Sequence, residues 1–125
     1  MKFAKIVFWT AGAWGLMVLT PMYFLFDFVG RQDPPAVTHP QFYYGFVGVG
    51  LAWQVAFCVI GSDPQRLRLM MVPAVIEKFS FAITVSVLAF QGRMPVQQSA
   101  IAVPDALLGI LFMAAFLKTD EKNLA

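Results

Sequence analysis

The stretch 69–90 reads LMMVPAVIEKFSFAITVSVLAF, an apolar run interrupted by two adjacent charged residues, Glu77 and Lys78. As a helix rising 1.5 Å per residue, a run of this length can cross a hydrocarbon core of about 30 Å. Its apolar residues do not alternate with polar ones at the period of two that is typical of a transmembrane strand. The stretch therefore predicts a membrane-spanning helix that carries ionisable groups within the membrane.

Three further apolar runs, at about 6–28, 42–60 and 98–117, are separated by the charged and turn-rich segments. Hydrophobic residues make up 59% of the 125 residues and charged residues 13%, against about 45–50% and about 25% in soluble domains. Four spans of about 20 residues leave about 45 residues for ends and loops, so a fifth does not fit. The sequence predicts an all-α integral membrane four-helix bundle, with residues 1–125 as a single transmembrane domain.

Local signals predict where the helices end. Pro21 predicts a bend or the outer third of the first helix, because proline removes a backbone donor that lipid cannot replace. The segment 30–40, GRQDPPAVTHP, contains three prolines and is expected to be extended and non-helical. Ser62, Asp63 and Pro64 indicate the start of the third helix. A signal peptide is the alternative at the basic N-terminus, but the apolar run is too long for one.

Basic residues are distributed unequally between the two sides of a four-span chain. Six fall on the side of both termini and two on the other: Lys2, Lys5, Arg66, Arg68, Lys118 and Lys122 against Arg31 and Arg93. Positively charged flanks stay in the cytoplasm, so we expect an up-down-up-down bundle with both termini cytoplasmic. Tyr23 and the aromatic residues at 42–44 then lie near the outer interface, where amphipathic rings collect.

Small residues recur every four positions on the second span, at Gly48, Ala52 and Ala56, with Gly45 extending the series. Such a face allows another helix to approach closely. Two interpretations stay open: a dimerisation seam, or packing inside one bundle. Weaker series of the same kind lie on the first span (Gly12, Gly15) and on the fourth (Ala102, Ala106, Gly109).

Polar residues inside the spans are the candidate site, because a charged side chain at the centre of a bilayer costs about 2.5–3.5 kcal/mol. Counting along the helices puts Gln54 and Glu77 at similar depth and Asp105 roughly 8 Å further from the cytoplasm. Lys78 has a stem long enough to approach Asp105. Glu77, Ser80 and Thr84 share one helix face, which we expect to look into the bundle with Lys78 turned about 100° away. Two acids and one lysine leave one carboxyl in excess.

Other classes of site are poorly represented. The net charge of +2 is too small to suggest nucleic acid binding, and the single cysteine excludes an internal disulfide. His39 would need a further ligand such as Asp27 to bind a metal, so an interfacial loop histidine is the better interpretation and no metal is predicted. Cys58 is interpreted as a small apolar filler. Phosphate loops, zinc patterns and nucleophile elbows are absent from the sequence.

Four segments carry a family resemblance: HPQFYYGF at 39–46, AWQ at 52–54, PAVIEKF at 73–79 and PDALLG at 104–109. Together they resemble the small bacterial inner-membrane proteins grouped as BphX-like, within the wider DoxX-like set. The resemblance implies a compact four-helix bundle in the bacterial inner membrane. Some DoxX-like relatives accompany quinone-linked oxidoreductases. A looser kinship with sterol-handling four-helix membrane proteins implies that Glu77 and Asp105 line a cavity for an apolar molecule.

The sequence leaves several functions open. The first hypothesis is a protein that binds a lipid or quinone, or an accessory subunit of a membrane redox or degradation system, with a polar site formed by Gln54, Glu77, Lys78, Ser80, Thr84 and Asp105. The second is a dimeric proton-coupled exporter, although its usual first-helix carboxylate has no counterpart before Asp27. A purely structural subunit is the third. An enzyme using Glu77 or Asp105 as acid or base is less favoured, because no ordered catalytic set accompanies them. Partners would be the bilayer, a lipophilic molecule, and a second copy or a larger complex.

Overall fold

The computed structural model describes residues 2–32 and 34–119, and in these ranges the chain is helical without strands. The α-helices are α1 (Lys2–Leu19), α2 (Phe26–Gln32), α3 (Pro40–Ser62), α4 (Met71–Phe90) and α5 (Val103–Lys118). Short 3₁₀ segments follow α1 (Thr20–Phe24) and precede α4 (Arg68–Met70) and α5 (Val96–Ala102). The prediction of an all-α chain is confirmed for these residues.

Four continuous helical runs of 23 residues each are long and apolar enough to cross a membrane: Lys2–Phe24, Pro40–Ser62, Arg68–Phe90 and Val96–Lys118. Only 22–33% of the residues in their most apolar windows are buried within the chain. Large apolar side chains such as Met17, Phe24 and Phe90 point outward. A water-soluble monomer rarely exposes so much contiguous apolar surface. The chain is therefore a multi-pass helical membrane protein.

The first run is shifted from its predicted position at 6–28. Regular α-helix ends at Leu19, Pro21 lies at the start of the following 3₁₀ segment, and Leu25 breaks the helix. Proline lacks the N–H that an α-helix needs at this point, which accounts for the change. The prediction that residues 30–32 are extended is wrong, because they form the last turn of α2. Asp27 near its start and Arg31 near its end both favour this short helix through its dipole.

The third helix does not begin where the sequence predicted. Ser62 is the last residue of α3, and Asp63 opens a turn in which its carbonyl oxygen accepts a hydrogen bond from Leu67 N at 3.1 Å. The Asp63 carboxylate also accepts one from Arg66 N at 3.4 Å. The cap-like residues therefore stabilise the turn between α3 and α4, because α3 extends further than its apolar pattern indicates.

Three phenylalanines form the core at one end of the bundle. The Phe8 ring stacks on Phe112 with centroids 4.2 Å apart, and Phe57 meets Phe112 at 4.9 Å. Met71 and Ala74 at the start of α4 belong to the same buried cluster. The contacts bring the start of α1, the end of α3, the start of α4 and the end of α5 together.

Helices α1 and α3 approach each other closely through glycine. A Cβ atom on Gly12 would lie 2.9 Å from the Gln54 carbonyl oxygen and would overlap Cys58 Sγ, while one on Gly15 would overlap the Gln54 side chain. Gly61 of α3 likewise receives the Trp9 ring. The weaker small-residue signal of the sequence, on α1, thus marks the tightest helix contact.

The longer series of small residues, on α3, faces largely away from this contact. Gly45 and Ala52 are exposed, and a Cβ on Gly45 would meet nothing within 4 Å. Gly48 has a close neighbour, because a Cβ there would lie 2.9 Å from the Tyr23 hydroxyl. Packing inside the bundle therefore explains Gly48, whereas it does not explain the exposed Gly45 and Ala52.

Helices α3 and α4 are consecutive spans but contact each other little. Helix α1 packs mainly on α3 and also on α5, while α4 packs mainly on α5. At the end away from the phenylalanine core, Tyr23, Phe26, Tyr43 and Tyr44 form an aromatic cluster, and Tyr43 donates a hydrogen bond to the Met22 carbonyl oxygen at 2.8 Å. The two helix pairs are joined at one end and separated along α3 and α4.

Replacing Gly12 with alanine should destabilise the protein by about 1–3 kcal/mol, because the added methyl group forces α1 and α3 apart. Gly45→Ala is the matched control and should be neutral or stabilising by up to about 1 kcal/mol through helix propensity. The free energy of unfolding in mixed micelles, followed by circular dichroism, measures both. Equal effects of the two substitutions would contradict the close α1–α3 contact.

Candidate functional site

A cavity of about 550 Å³ lies between the four spans. Its wall is mostly apolar, with four polar or charged side chains at one part of it. The lining residues come from the α1 run (Trp14, Gly15, Val18, Leu19, Met22), from α3 (Phe46, Gly50, Gln54), from α4 (Glu77, Lys78, Phe81) and from the α5 run (Ile101, Pro104, Asp105). A volume of this size lies within the range of about 300–1,000 Å³ found for small-molecule sites.

Lys78 lies on the buried face of α4. The buried residues of this helix are Met71, Ala74, Lys78, Ala82 and Val85, a helical stripe that faces the neighbouring spans. The prediction that Lys78 turns away from the bundle is therefore wrong. Ser80 and Thr84, expected to face inward, are exposed. The helix is rotated so that alanines and Lys78 form its contact surface, since small side chains permit the approach of α5.

The Lys78 ammonium lies between two carboxylates. Its Nζ atom is 3.5 Å from Asp105 Oδ1 on α5 and 3.8 Å from Glu77 Oε2. The sequence anticipated the approach of Lys78 to Asp105. Asp105 lies in the first turn of α5, where the helix dipole favours a negative charge. The three groups form a continuous charged cluster at the polar part of the cavity.

An aromatic ring covers the ammonium from the side of the core. Lys78 Nζ lies 5.1 Å from the centroid of Phe57, within the distance of about 6 Å at which a cation is attracted to a ring face. Because Phe57 belongs to the phenylalanine core, this contact connects the charged cluster to the best-packed end of the bundle.

Gln54 is buried on the opposite wall, with 2% of its surface exposed. Its Nε2 donates a hydrogen bond to the Gly50 carbonyl oxygen on its own helix at 2.9 Å. Its Oε1 has no hydrogen-bond partner among the described atoms and lies against Gly15. Glu77 Oε2 also lacks one. Gln54 and Glu77 thus share a cavity, as their predicted depth indicated, without a hydrogen bond between them in the described chain.

A groove between α3 and α4 adjoins the cavity. It has a volume of about 720 Å³. Four residues line both spaces: Phe46, Gly50, Glu77 and Phe81. Ser80 and Thr84 line the groove only, and the Ser80 hydroxyl donates to the Glu77 carbonyl oxygen at 2.9 Å. The six predicted site residues are therefore divided, with Gln54, Glu77, Lys78 and Asp105 in the cavity and two hydroxyl residues outside it.

Sequence reasoning missed the apolar wall of the cavity. Trp14, Phe46 and Phe81 carry no signal that separates a cavity lining from ordinary packing, because all membrane helices are rich in such side chains.

No metal site is evident in residues 2–32 and 34–119, where no three His, Cys, Asp or Glu side chains are grouped closely enough to hold an ion. His39 Nδ1 lies 3.1 Å from Thr38 Oγ1, and its ring is 5.6 Å from that of Phe42. Cys58 packs near Gly12 on α1, where it fills space as expected.

Replacing Lys78 with methionine should destabilise the protein by about 3 kcal/mol, because it leaves two carboxylates together without a cation. This value is at the low end of the range for a broken buried pair, since Glu77 and Asp105 keep 21% and 23% of their side-chain surface exposed. Adding Asp105→Asn should recover most of the loss. Unfolding of the single and double variants in mixed micelles tests this, and a double variant no more stable than Lys78→Met would argue against the ion pair.

Comparison of the chain with family models, with curated proteins and with solved structures finds no match. The BphX-like and DoxX-like resemblance therefore stays a prediction from the quoted residues. What the protein does has to be argued from the cavity and its charged cluster.

Proposed function

We propose that this chain is a lipophilic-ligand-binding protein of the bacterial inner membrane, where the BphX-like proteins that it resembles are found. It holds a lipid or quinone-like molecule in the central cavity, with the polar end against Glu77 and Asp105. The observation that carries the proposal is the cavity itself, an apolar space of about 550 Å³ beside a charged cluster. In this role the protein would act as an accessory subunit of a membrane redox or degradation system.

The size and lining of the cavity favour ligand binding over a simple clasp between helices. A clasp requires Lys78 to touch the two carboxylates and requires no space beside them. In this chain the cluster opens on a cavity whose other walls are aromatic and aliphatic. Few polar groups in a largely apolar pocket are typical of small-molecule sites, where the polar groups orient the ligand.

The groove between α3 and α4 supplies a route from the bilayer. It adjoins the cavity at Phe46, Gly50, Glu77 and Phe81, and the two helices contact each other little along it. A molecule dissolved in the lipid could therefore reach the cavity sideways, without crossing the aqueous interface. This route suits a ligand too apolar to be delivered from water.

The charge distribution supports cytoplasmic termini. Within the described residues, the elements that meet at the phenylalanine core, and the turn that joins α3 to α4, carry five basic residues: Lys2, Lys5, Arg66, Arg68 and Lys118. Arg31 and Arg93 lie on the segments at the other end. Lys122, the sixth basic residue of that side, is outside the described residues. The positive-inside tendency then orients the aromatic cluster around Tyr43 toward the outer interface.

A cavity-filling variant distinguishes a ligand bound in the cavity from lipid attached loosely to the outer surface. Val18→Trp should fill the cavity, whereas Met17→Trp places the same side chain on the neighbouring, outward-facing position. Protein released from gently extracted membranes should carry one lipophilic molecule in the wild type and in Met17→Trp, and should lose it in Val18→Trp. Native mass spectrometry and analysis of the solvent extract provide the measurement.

Equal retention by both tryptophan variants would place the molecule on the outer surface and overturn the proposal. Absence of any bound molecule in all three proteins would favour the structural-subunit alternative. The exporter alternative, a dimer driven by protons, requires uptake that depends on a pH gradient in vesicles. Binding without such uptake would favour the binding protein.

A further inference from the structure

We propose that the cavity prefers lipophilic cations, with the positive charge of the ligand seated on the carboxylates of Glu77 and Asp105. This inference rests on the proposed function and narrows it to one chemical class of ligand. It follows from which members of the charged cluster face the cavity, how many charges line it, and what its walls are made of.

The two acidic side chains are partly exposed, whereas the Lys78 side chain is buried. Glu77 and Asp105 keep 21% and 23% of their side-chain surface exposed, whereas Lys78 keeps 5%. Lys78 is covered by Phe57 on one side and by its two acidic partners on the other. A ligand entering the cavity therefore reaches two acidic side chains before the ammonium, and a carboxylate accepts hydrogen bonds and attracts positive charge.

The charges that line the cavity do not balance. Its lining contains two carboxylates, one ammonium and no other ionisable side chain, and the residues from the α1 run and α3 are all uncharged. With both acids ionised, the cluster carries one negative charge in excess within a low-dielectric surrounding. An uncompensated charge there is costly, so a bound cation that pairs with the carboxylates is favoured.

The walls suit an apolar cation rather than a hydrated one. Trp14, Phe46 and Phe81 contribute aromatic rings, whose faces attract positive charge, and aliphatic residues supply most of the remaining lining. A small hydrated ion would lose its water without replacement. An organic cation with an apolar body exchanges lipid for these rings at little cost.

Two ions of nearly the same shape and opposite charge test the preference: tetraphenylphosphonium and tetraphenylborate. The wild-type protein in lipid nanodiscs should bind tetraphenylphosphonium saturably in equilibrium dialysis, after subtraction of partition into empty nanodiscs. Tetraphenylborate should show partition only. Because one unit of charge is removed at close range, Glu77→Gln should weaken tetraphenylphosphonium binding at least about tenfold.

Charge-restoring variants keep the test interpretable. Glu77→Gln with Lys78→Met returns the excess of one negative charge through Asp105 and should recover binding. Asp27→Asn, which removes an exposed carboxylate outside the cavity, should leave binding unchanged. Far-ultraviolet circular dichroism and thermal unfolding establish that each variant is folded before its affinity is compared.

The failure of this inference can be told from the failure of the proposed function. If a neutral lipid or quinone occupies the cavity and tetraphenylphosphonium does not bind, the preference for cations is wrong while ligand binding stands. Equal binding of the two ions, or an unchanged affinity in Glu77→Gln, would overturn the preference. If nothing occupies the cavity in either experiment, both proposals are wrong.

Discussion

The need to pair Lys78 inside a bilayer governs how the spans are arranged. An ammonium group in hydrocarbon requires a counter-charge, and the nearest one on another span is Asp105, with Oδ1 at 3.5 Å. Meeting this requirement turns the Lys78 face of α4 toward α5, and Ala74 and Ala82 on the same stripe allow the two helices to pack. Because α4 is committed to α5 in this way, its opposite side is left apart from α3, and the groove results.

The other pair of helices, α1 and α3, is held together by close packing of uncharged residues. Gly12 and Gly15 let α1 lie directly against Gln54 and Cys58 of α3, where close backbone approach replaces the hydrophobic effect that lipid does not provide. The two pairs are then joined through Phe8, Phe57 and Phe112 at one end only. The cavity is the space that remains between the pairs beyond that aromatic core, and the charged cluster lies at its boundary.

The sequence predicted four spans and the polar residues that meet at the charged cluster, but not the faces that the helices present. Composition and run length indicate four spans without any tertiary information, and membrane acids are conspicuous because they are costly. The rotation of α4 depends on its partner: the sequence pattern of Glu77, Ser80 and Thr84 suggested an inward face, whereas the Asp105 contact selects Lys78. Similarly, the α3 series at Gly45 and Ala52 looked like the main packing face, although Gly12 on α1 makes the closer contact. Empty space leaves no pattern in a sequence, so the residues of the apolar wall could not be picked out from the sequence alone.

The charged cluster and the cavity are more informative together than apart. As a clasp alone, three ionisable groups are a poor choice, because well-packed apolar side chains often join helices at least as stably as a buried ion pair. Instead, the side chains of Glu77 and Asp105 stay partly exposed, and both line a largely apolar cavity. A costly charged cluster next to a cavity is expected when a bound ligand completes the site. The proposed ligand, a molecule from the lipid phase with a polar end, would pair with the cluster and fill the cavity.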